Sequence, residues 1–469
     1  MDRIRLQNFR SLQDTGEIEI KPLTLLVGKN SSGKSSFLRF FPLIKQSLEE
    51  SKHGPILWYK EKGVDFGDFE TTVTKGEDTI VMSFQIDVLR YHFPEPKNKP
   101  AINVELSIKK ENDSNYDYLH SAHISYGDVD INMVFNQGIE LKTDIIINGE
   151  SMPSASTYRR DNSLFPYIRT DEVKIEGFSY LTESMRKGTR YIYKTIDDFL
   201  FITFEEFNKK INGEEYPYNK IAIFNKIVYA NLFELLRYVE FNLRFEFDDL
   251  VYIGPFRDAP QRYYRMQNLS ANTIDMNGSN IAVFVKEMGE KLQTLNDVID
   301  TRFGFTIDVE SKFGQISLFI IKDGKRTNII DNGFGYSQIL PIILATFQLK
   351  YNVDQYKVNA HSISLCIEQP ELHLHPKMQF EYGCMIADTL KTIEECSKGR
   401  IKQQIILETH SRSIIEAIGQ NIADKLIDRN DVVVYLFEEH PDKSSVSCVR
   451  SAEFNKEGYL NNWPLGFLD

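Results

Sequence analysis

Residues 28–35 read Gly28-Lys29-Asn30-Ser31-Ser32-Gly33-Lys34-Ser35. They fit the phosphate-binding pattern G-x-x-x-x-G-K-[ST] at every fixed position. The preceding run, Leu23-Thr24-Leu25-Leu26-Val27, is apolar and reads as a buried strand. The following run, Ser36-Phe37-Leu38-Arg39-Phe40-Phe41, is apolar enough to begin a helix. Strand, glycine-rich turn and helix start form the context the pattern needs, because turn N–H groups and the helix N-terminus then face an anion together. In that setting Lys34 reaches the β and γ phosphates and Ser35 holds Mg²⁺. The expected nucleotide contacts are Gly28, Asn30, Ser31, Gly33, Lys34, Ser35 and Ser36.

Length and composition bound the rest. A chain of 469 residues with 42% hydrophobic and 26% charged residues suits two or three globular domains. The longest apolar stretch, around Ile339 to Phe347, is short and contains Pro341, and MDRIRLQNFRS at the N-terminus has no apolar signal core, so a cytoplasmic protein is expected. Cys366, Cys384, Cys396 and Cys448 have no metal-ligand spacing, and Cys366 reads as a core thiol. The net charge of −12 argues against a surface coated for DNA binding but leaves room for a local basic patch at Arg159-Arg160 or Lys209-Lys210. Solvated surface charge is the simpler reading of both pairs.

Periodicity divides the chain. Arg3–Phe9 and Glu17–Ile20 read as strands ahead of the phosphate loop. Residues 75–150 alternate apolar and polar positions, as antiparallel strands do. Residues 151–250 carry helical periodicity in Thr195–Ile211 and Tyr218–Phe241 and read as an inserted, mainly helical module. Tyr252-Ile253-Gly254-Pro255 reads as a strand ending in a turn, and Ala282 to Ile299 as one amphipathic helix. Asp323-Gly324 between Ile316–Ile321 and Lys325–Ile330 is a hairpin signal. After Ser337, helices and buried strands alternate. The expected fold class is α/β, with the phosphate-loop core in a mixed sheet, an antiparallel β subdomain and the helical insertion. The expected domains are 1–150, 151–250 and 251–469.

Four further motifs bear on chemistry. Ser362-Ile-Ser-Leu-Cys-Ile367 is an apolar strand ending in Glu368-Gln369-Pro370-Glu371. A strand-end carboxylate beside a phosphate loop can hold Mg²⁺, which assigns the metal to Ser35 and Glu368. A second carboxylate, Glu371, can take a proton from attacking water. The pair could also be two solvated acids at a strand end; the phosphate loop tips the reading. Leu372-His373-Leu374-His375-Pro376 suggests zinc, but no Cys or His cluster completes such a site. Ile405-Ile-Leu-Glu-Thr-His410-Ser411 ends a strand in a histidine that could touch a γ-phosphate. Asn332-Gly333-Phe334-Gly335-Tyr336-Ser337-Gln338 precedes the apolar helix Ile339–Leu349 and is either an anion cradle or a turn capped by Ser337.

In this order the motifs resemble those of ABC-type ATPases of the OLD, RecF and SMC group. Ile4-Arg5-Leu6-Gln7-Asn8-Phe9-Arg10-Ser11 resembles their N-terminal pattern, and residues 28–35 their Walker A motif. Residues 333–338 resemble the divergent signature motif of the OLD-like branch, Cys366–Glu371 the strand bearing the Mg²⁺ carboxylate and catalytic glutamate, Leu372–Pro376 the D-loop, and Thr409-His410-Ser411 the H-loop. The tail Gly458 to Phe467 resembles that of many stand-alone OLD-like ATPases. Two departures stand out: Glu368 replaces the usual Asp, and Gly63–Phe69 offers no Q-loop glutamine.

The resemblance implies an ATP- and Mg²⁺-dependent hydrolase in which Glu371 and His410 are catalytic. Gly335, Ser337 and Gln338 of a second subunit would close over the γ-phosphate, so a homodimer or higher homo-oligomer is expected. About sixty residues follow His410, too few for an OLD-type Toprim nuclease, and Asp128-Val-Asp130 reads as a surface pair. The chain thus resembles the ATPase subunit of two-gene anti-phage systems of the PARIS (AriA-like) or Septu (PtuA-like) type. There it would act as an ATP-gated scaffold and sensor for a separate nuclease-like effector, answering a phage protein and not associating with membrane. The competing reading is a RecF-like DNA-maintenance ATPase, which predicts a basic groove and steep salt dependence.

Overall fold

A computed structural model describes residues 1–86, 101–110, 116–136, 142–158, 163–170, 204–211, 220–266, 273–355, 362–397, 401–440 and 446–461. By its contacts the chain divides into two units, one of residues 1–19 and 43–245, the other of residues 20–42 and 246–469. The phosphate-loop segment therefore belongs with the C-terminal half of the chain.

In that second unit five parallel strands lie side by side. Leu250–Ile253 pairs with Ser362–Glu368, which pairs with Lys402–Glu408; this pairs with Leu23–Gly28, and Leu23–Gly28 with Val432–Glu439. Ser447–Phe454 adds an antiparallel edge to Val432–Glu439. The strands are rich in Ile, Leu and Val, and those at residues 23–28 and 362–368 are buried along their whole length. Strands covered on both faces need that continuous apolar character. Helices Phe334–Gln355, Pro376–Ser397 and Arg412–Ala423 supply apolar cover to the same core. Two of them approach closely: a Cβ on Gly383 would lie 2.7 Å from the Ala417 Cβ.

The register has a direct consequence for the site. Glu368 stands level with Glu408, Glu408 with Leu26, and Phe437 with Gly28. Parallel strands end at one edge, so both carboxylates and the phosphate loop come out together.

A second, antiparallel sheet in this unit comprises Tyr264–Arg265, Thr306–Lys312, Gln315–Lys322 and Lys325–Asn328. Asp323 and Gly324 turn between the last two strands with φ of 50° and 74°. Both values are left-handed, as a two-residue hairpin loop of this kind requires. The helix expected over Ala282–Ile299 is instead two, Ile281–Glu287 and Lys291–Phe303. Gly289, at φ 55°, breaks the run.

The first unit is mainly antiparallel. Arg3–Phe9 pairs with Thr79–Ile86, and the meander continues through Ile102–Lys110, Asp117–Tyr126, Val129–Phe135 and Lys142–Ile147. Burial alternates strictly along Thr79–Ile86, the period-2 pattern of a sheet with one covered face. Helices Phe204–Ile211 and Lys220–Ala230 and most of Leu232–Asp248 complete it. Arg159-Arg160 and residues 195–203 of the expected helix lie outside the described residues. No described helix is long and apolar enough to cross a membrane.

Candidate nucleotide and metal site

Strand Leu23–Gly28 delivers the loop, and helix Lys34–Glu49 receives it. Ser31 at φ 65° and Gly33 at φ 91° supply the left-handed residues that curl the backbone. Gly28 is constrained differently. A Cβ there would lie 2.2 Å from the Phe437 carbonyl oxygen and 2.8 Å from Ser32 Oγ, so the neighbouring strand admits only glycine. Asn30 and Ser31 are exposed, Ser35 and Ser36 half-buried, and Lys34 is buried. Lys34 Nζ donates to the carbonyl oxygens of Gly28 (3.0 Å) and Lys29 (2.6 Å). Burial lowers its pKa, while Glu408 and Glu371 oppose that shift. The lysine thus sits within the field of both acids.

The two strand-end glutamates are treated differently. Glu368 is 1% exposed, and both its oxygens are occupied. Arg39 donates from Nε to Oε1 (2.6 Å) and from Nη2 to Oε2 (2.8 Å), and the Tyr252 hydroxyl donates to Oε1 (2.6 Å). Burial tends to lower the Arg39 pKa, but the bonds to Glu368 outweigh it and the net shift is upward. Burial and the Glu368 charge hold the Tyr252 hydroxyl well above its usual value. Ser35 Oγ donates instead to Glu408 Oε1, at 2.8 Å. Glu408 is also 1% exposed, and its Oε2 has no hydrogen-bond partner. Burial, and then the charge of Glu368, push Glu408 up to about 7; Ser35, Lys34 and Arg39 pull the other way. The carboxylate that the sequence reading joins to Ser35, Glu368, is therefore bound to an arginine, and the neighbouring strand's glutamate takes its place.

Glu371 lies just beyond the strand end. It accepts from Thr409 Oγ1 (2.8 Å) and from the His410 amide (2.7 Å). Burial raises its pKa, and those two bonds moderate the rise. Burial and the repulsion of Lys34 lower the His410 pKa, which leaves a neutral imidazole near neutral pH. Its Nε2 is buried without a partner. Lys34, Glu371, Glu408 and His410 thus form one electrostatic cluster. Arg257 backs it. Its Nη2 donates to the Glu368 carbonyl (2.8 Å), with a longer contact to the Gln369 carbonyl (3.3 Å), while Nε and Nη1 have no partner. Burial pushes this guanidinium down to about 10.

The expected signature residues form a separate group. The helix begins at Phe334, five residues before the expected Ile339, so Gly335, Ser337 and Gln338 lie inside its first turns. Ser337 is not its cap: Oγ donates to the Phe334 carbonyl at 2.8 Å, and the residue is 2% exposed. Gly335 faces the segment that resembles a D-loop; a Cβ there would meet the His373 carbonyl oxygen at 3.4 Å. Gln379 ties that segment to the histidine strand, donating to the Leu374 carbonyl (2.9 Å) and accepting from Ser411 Oγ (2.6 Å). His373 and His375 are exposed, and among the described residues no three His, Cys, Asp or Glu side chains group as a self-sufficient metal site.

Sequence reasoning missed Glu408, Arg39, Tyr252 and Arg257. Signals existed for two. Glu408 is a charge closing the apolar run Ile405-Ile406-Leu407, and Arg39 is a lone cation among Phe37, Leu38, Phe40 and Phe41. Such charges on buried elements need partners.

The donor set suits a nucleotide with Mg²⁺. Ser35 and a carboxylate are hard oxygen ligands, and Mg²⁺ commonly takes only one or two protein groups, with phosphates and water completing the shell. The glycine cradle at residue 28, the buried lysine and the orphaned Glu408 oxygen fit such a guest.

The family match agrees with this chemistry. Residues 1–415 match the AAA ATPase domain family. The chain belongs to that family. This AAA ATPase is also 22% identical over 444 residues to Endonuclease GajA of Bacillus cereus (strain HuB5-5), a match that covers 88% of the chain and 55% of the relative. The chain thus spans about half the length of that protein. Among solved structures, the SMC head domain from Thermotoga maritima aligns with 96% of the chain and 97% of its own, at 12% identity and a TM-score of 0.35. The recombination mediator protein RecF aligns over the same shares at 12% identity and a TM-score of 0.28.

Proposed function

We propose that this AAA ATPase binds ATP with Mg²⁺ on residues 28–36, hydrolyses it, and uses the cycle to gate a separate nuclease-like effector in a bacterial anti-phage complex. The observation that carries the ATPase reading is the cluster of Lys34, Ser35, Glu371 and His410 around one loop. Lys34 would turn from its carbonyl partners to the β and γ phosphates. The bound cation would neutralise phosphate charge. Glu371, braced by Thr409 and the His410 amide, would orient water and accept its proton, its raised pKa making it a better base than an ordinary carboxylate. His410, neutral and with a free Nε2, would contact the γ-phosphate.

The gating role draws on the similarity to a protein named as an endonuclease and on the exposed Phe334 beside Gly335. In a homodimer the segment 333–338 of one subunit would meet the nucleotide of the other, so that ATP closes the pair and hydrolysis opens it.

The test is turnover and nucleotide binding by the purified chain. Lys34→Ala should abolish ATP binding. Glu371→Gln should bind ATP, lose at least about a hundredfold in turnover, and accumulate the closed dimer. If both variants hydrolyse ATP at the wild-type rate, the site is elsewhere. Affinity purification of the Glu371→Gln chain from its host tests the gating role: a stoichiometric nuclease-like partner supports it, whereas DNA without a protein partner favours a RecF-like maintenance ATPase.

A further inference from the structure

Two carboxylates end level on adjacent parallel strands at the phosphate loop, yet only one of them has its charge met. Glu368 receives three hydrogen bonds, two from the Arg39 guanidinium and one from the Tyr252 hydroxyl, so its charge is paired with a cation and each oxygen is already bonded. Glu408 receives one, from the Ser35 hydroxyl, and its second oxygen is buried with no partner. Lys34, whose charge acts on Glu408, makes its hydrogen bonds to the carbonyls of Gly28 and Lys29 instead. A buried carboxylate that lacks a cationic partner is costly to keep charged unless a cation arrives. Ser35 is the residue whose hydroxyl the phosphate-loop pattern assigns to a divalent cation, and it already touches Glu408.

We infer that Glu408 is the protein carboxylate that shares the divalent cation with Ser35, and that Arg39 and Tyr252 withdraw Glu368 from that role. The inference rests on the nucleotide-site reading above. It departs from the assignment that the motif order suggests, because the metal-holding acid would sit on the strand that ends in Thr409-His410. Glu368 then becomes a positioning residue. It anchors helix Lys34–Glu49 through Arg39, and its main-chain carbonyl receives Arg257 Nη2.

The experiment uses Mn²⁺ as the probe, titrated into the full chain with a non-hydrolysable ATP analogue and followed by electron paramagnetic resonance of free Mn²⁺. Analogue affinity in EDTA is measured beside it, as a control for folding and for metal-free binding. Glu408→Gln is nearly isosteric and should weaken Mn²⁺ binding by about tenfold or more while leaving the EDTA affinity within about threefold. Glu408→Asp should retain part of the Mn²⁺ affinity. Glu368→Gln should keep Mn²⁺ binding within about threefold of wild type. Mn²⁺ binding by Glu408→Gln at wild-type strength, or a loss in Glu368→Gln equal to that in Glu408→Gln, would overturn the assignment. Absence of any nucleotide-dependent Mn²⁺ binding in the wild-type chain would instead overturn the nucleotide-site reading beneath it.

Discussion

Replacing Arg39 by Met removes both partners of one buried carboxylate edge while keeping the aliphatic stem that packs in helix Lys34–Glu49. Glu368, at 1% exposure, would keep only the Tyr252 bond. Breaking a buried ion pair from one side costs about 3–5 kcal/mol, mostly from the charge left behind. Glu368 belongs to the unit of residues 20–42 and 246–469. For a domain of this size each kcal/mol shifts the melting temperature by about 2–4 °C. Scanning calorimetry of Arg39→Met should show the transition of that unit lowered by about 6–20 °C at pH 7. The double variant Arg39→Met, Glu368→Gln should recover most of the loss at neutral pH. A single variant that melts within about 2 °C of wild type, or a double variant that recovers none of the loss, would refute the view of Glu368 as a charge held by Arg39.

Gly28→Ala should weaken nucleotide binding by at least about tenfold, since its Cβ would overlap the Phe437 carbonyl and force the loop off its strand; isothermal titration calorimetry with unchanged affinity would contradict this. Asp117, buried against Trp58 Nε1 at 3.0 Å, is pushed by burial from an ordinary 3.8 up to about 6. Its folded pKa exceeds the unfolded one, so its contribution is complete below about pH 4 and is lost as the pH rises through about 6, a change of about 3 kcal/mol. Asp117→Asn should remove that slope, read by thermal denaturation between pH 4.5 and 7.5 with Trp58 fluorescence as the local probe, and an unchanged slope would count against it. Phe334, 66% exposed at the start of its helix, should anchor the proposed dimer. Phe334→Ser in the Glu371→Gln background should raise the ATP-dependent dimer dissociation constant by about thirtyfold or more in analytical ultracentrifugation, and undiminished dimerisation would remove that surface from the interface.

The phosphate loop was legible because its chemistry is local. A strand, a glycine pair and a helix start are consecutive in the chain, and nothing distant is needed to read them. The hairpin at Asp323-Gly324 was legible for the same reason. The split of Ala282–Ile299 at Gly289 was less so, since apolar spacing continues across the break and only the backbone at one glycine ends the first helix. The partition of acids at the site could not be read at all from spacing. Glu368 and Glu408 each close an apolar strand, and the chain gives no hint which lies beside Ser35. That is decided by strand order: Lys402–Glu408 is the strand hydrogen-bonded to Leu23–Gly28, and Ser362–Glu368 is one further away. Arg39, one turn along the helix from Ser35, then reaches the more distant acid.

The signature segment makes a sharper demand on the proposed dimer than the motif resemblance suggests. Ser337 points into its own helix, where its hydroxyl is already engaged by the Phe334 carbonyl. Turning it outward sacrifices one hydrogen bond, about 1 kcal/mol net, which is small beside the binding energy of a triphosphate. Gly335 has no such obstacle. It lies in the first turn, where backbone N–H groups lack intrahelical acceptors. The absence of a side chain also lets the turn lie against the His373 carbonyl, where even a Cβ would be only 3.4 Å away. An incoming anion would therefore meet the helix N-terminus and its dipole before any side chain of residues 335–338. The serine would follow by a rotamer change. In the proposed dimer the backbone at Gly335 would recognise the phosphate and Ser337 would report on closure, because its hydroxyl would leave Phe334 only with a stronger acceptor in place.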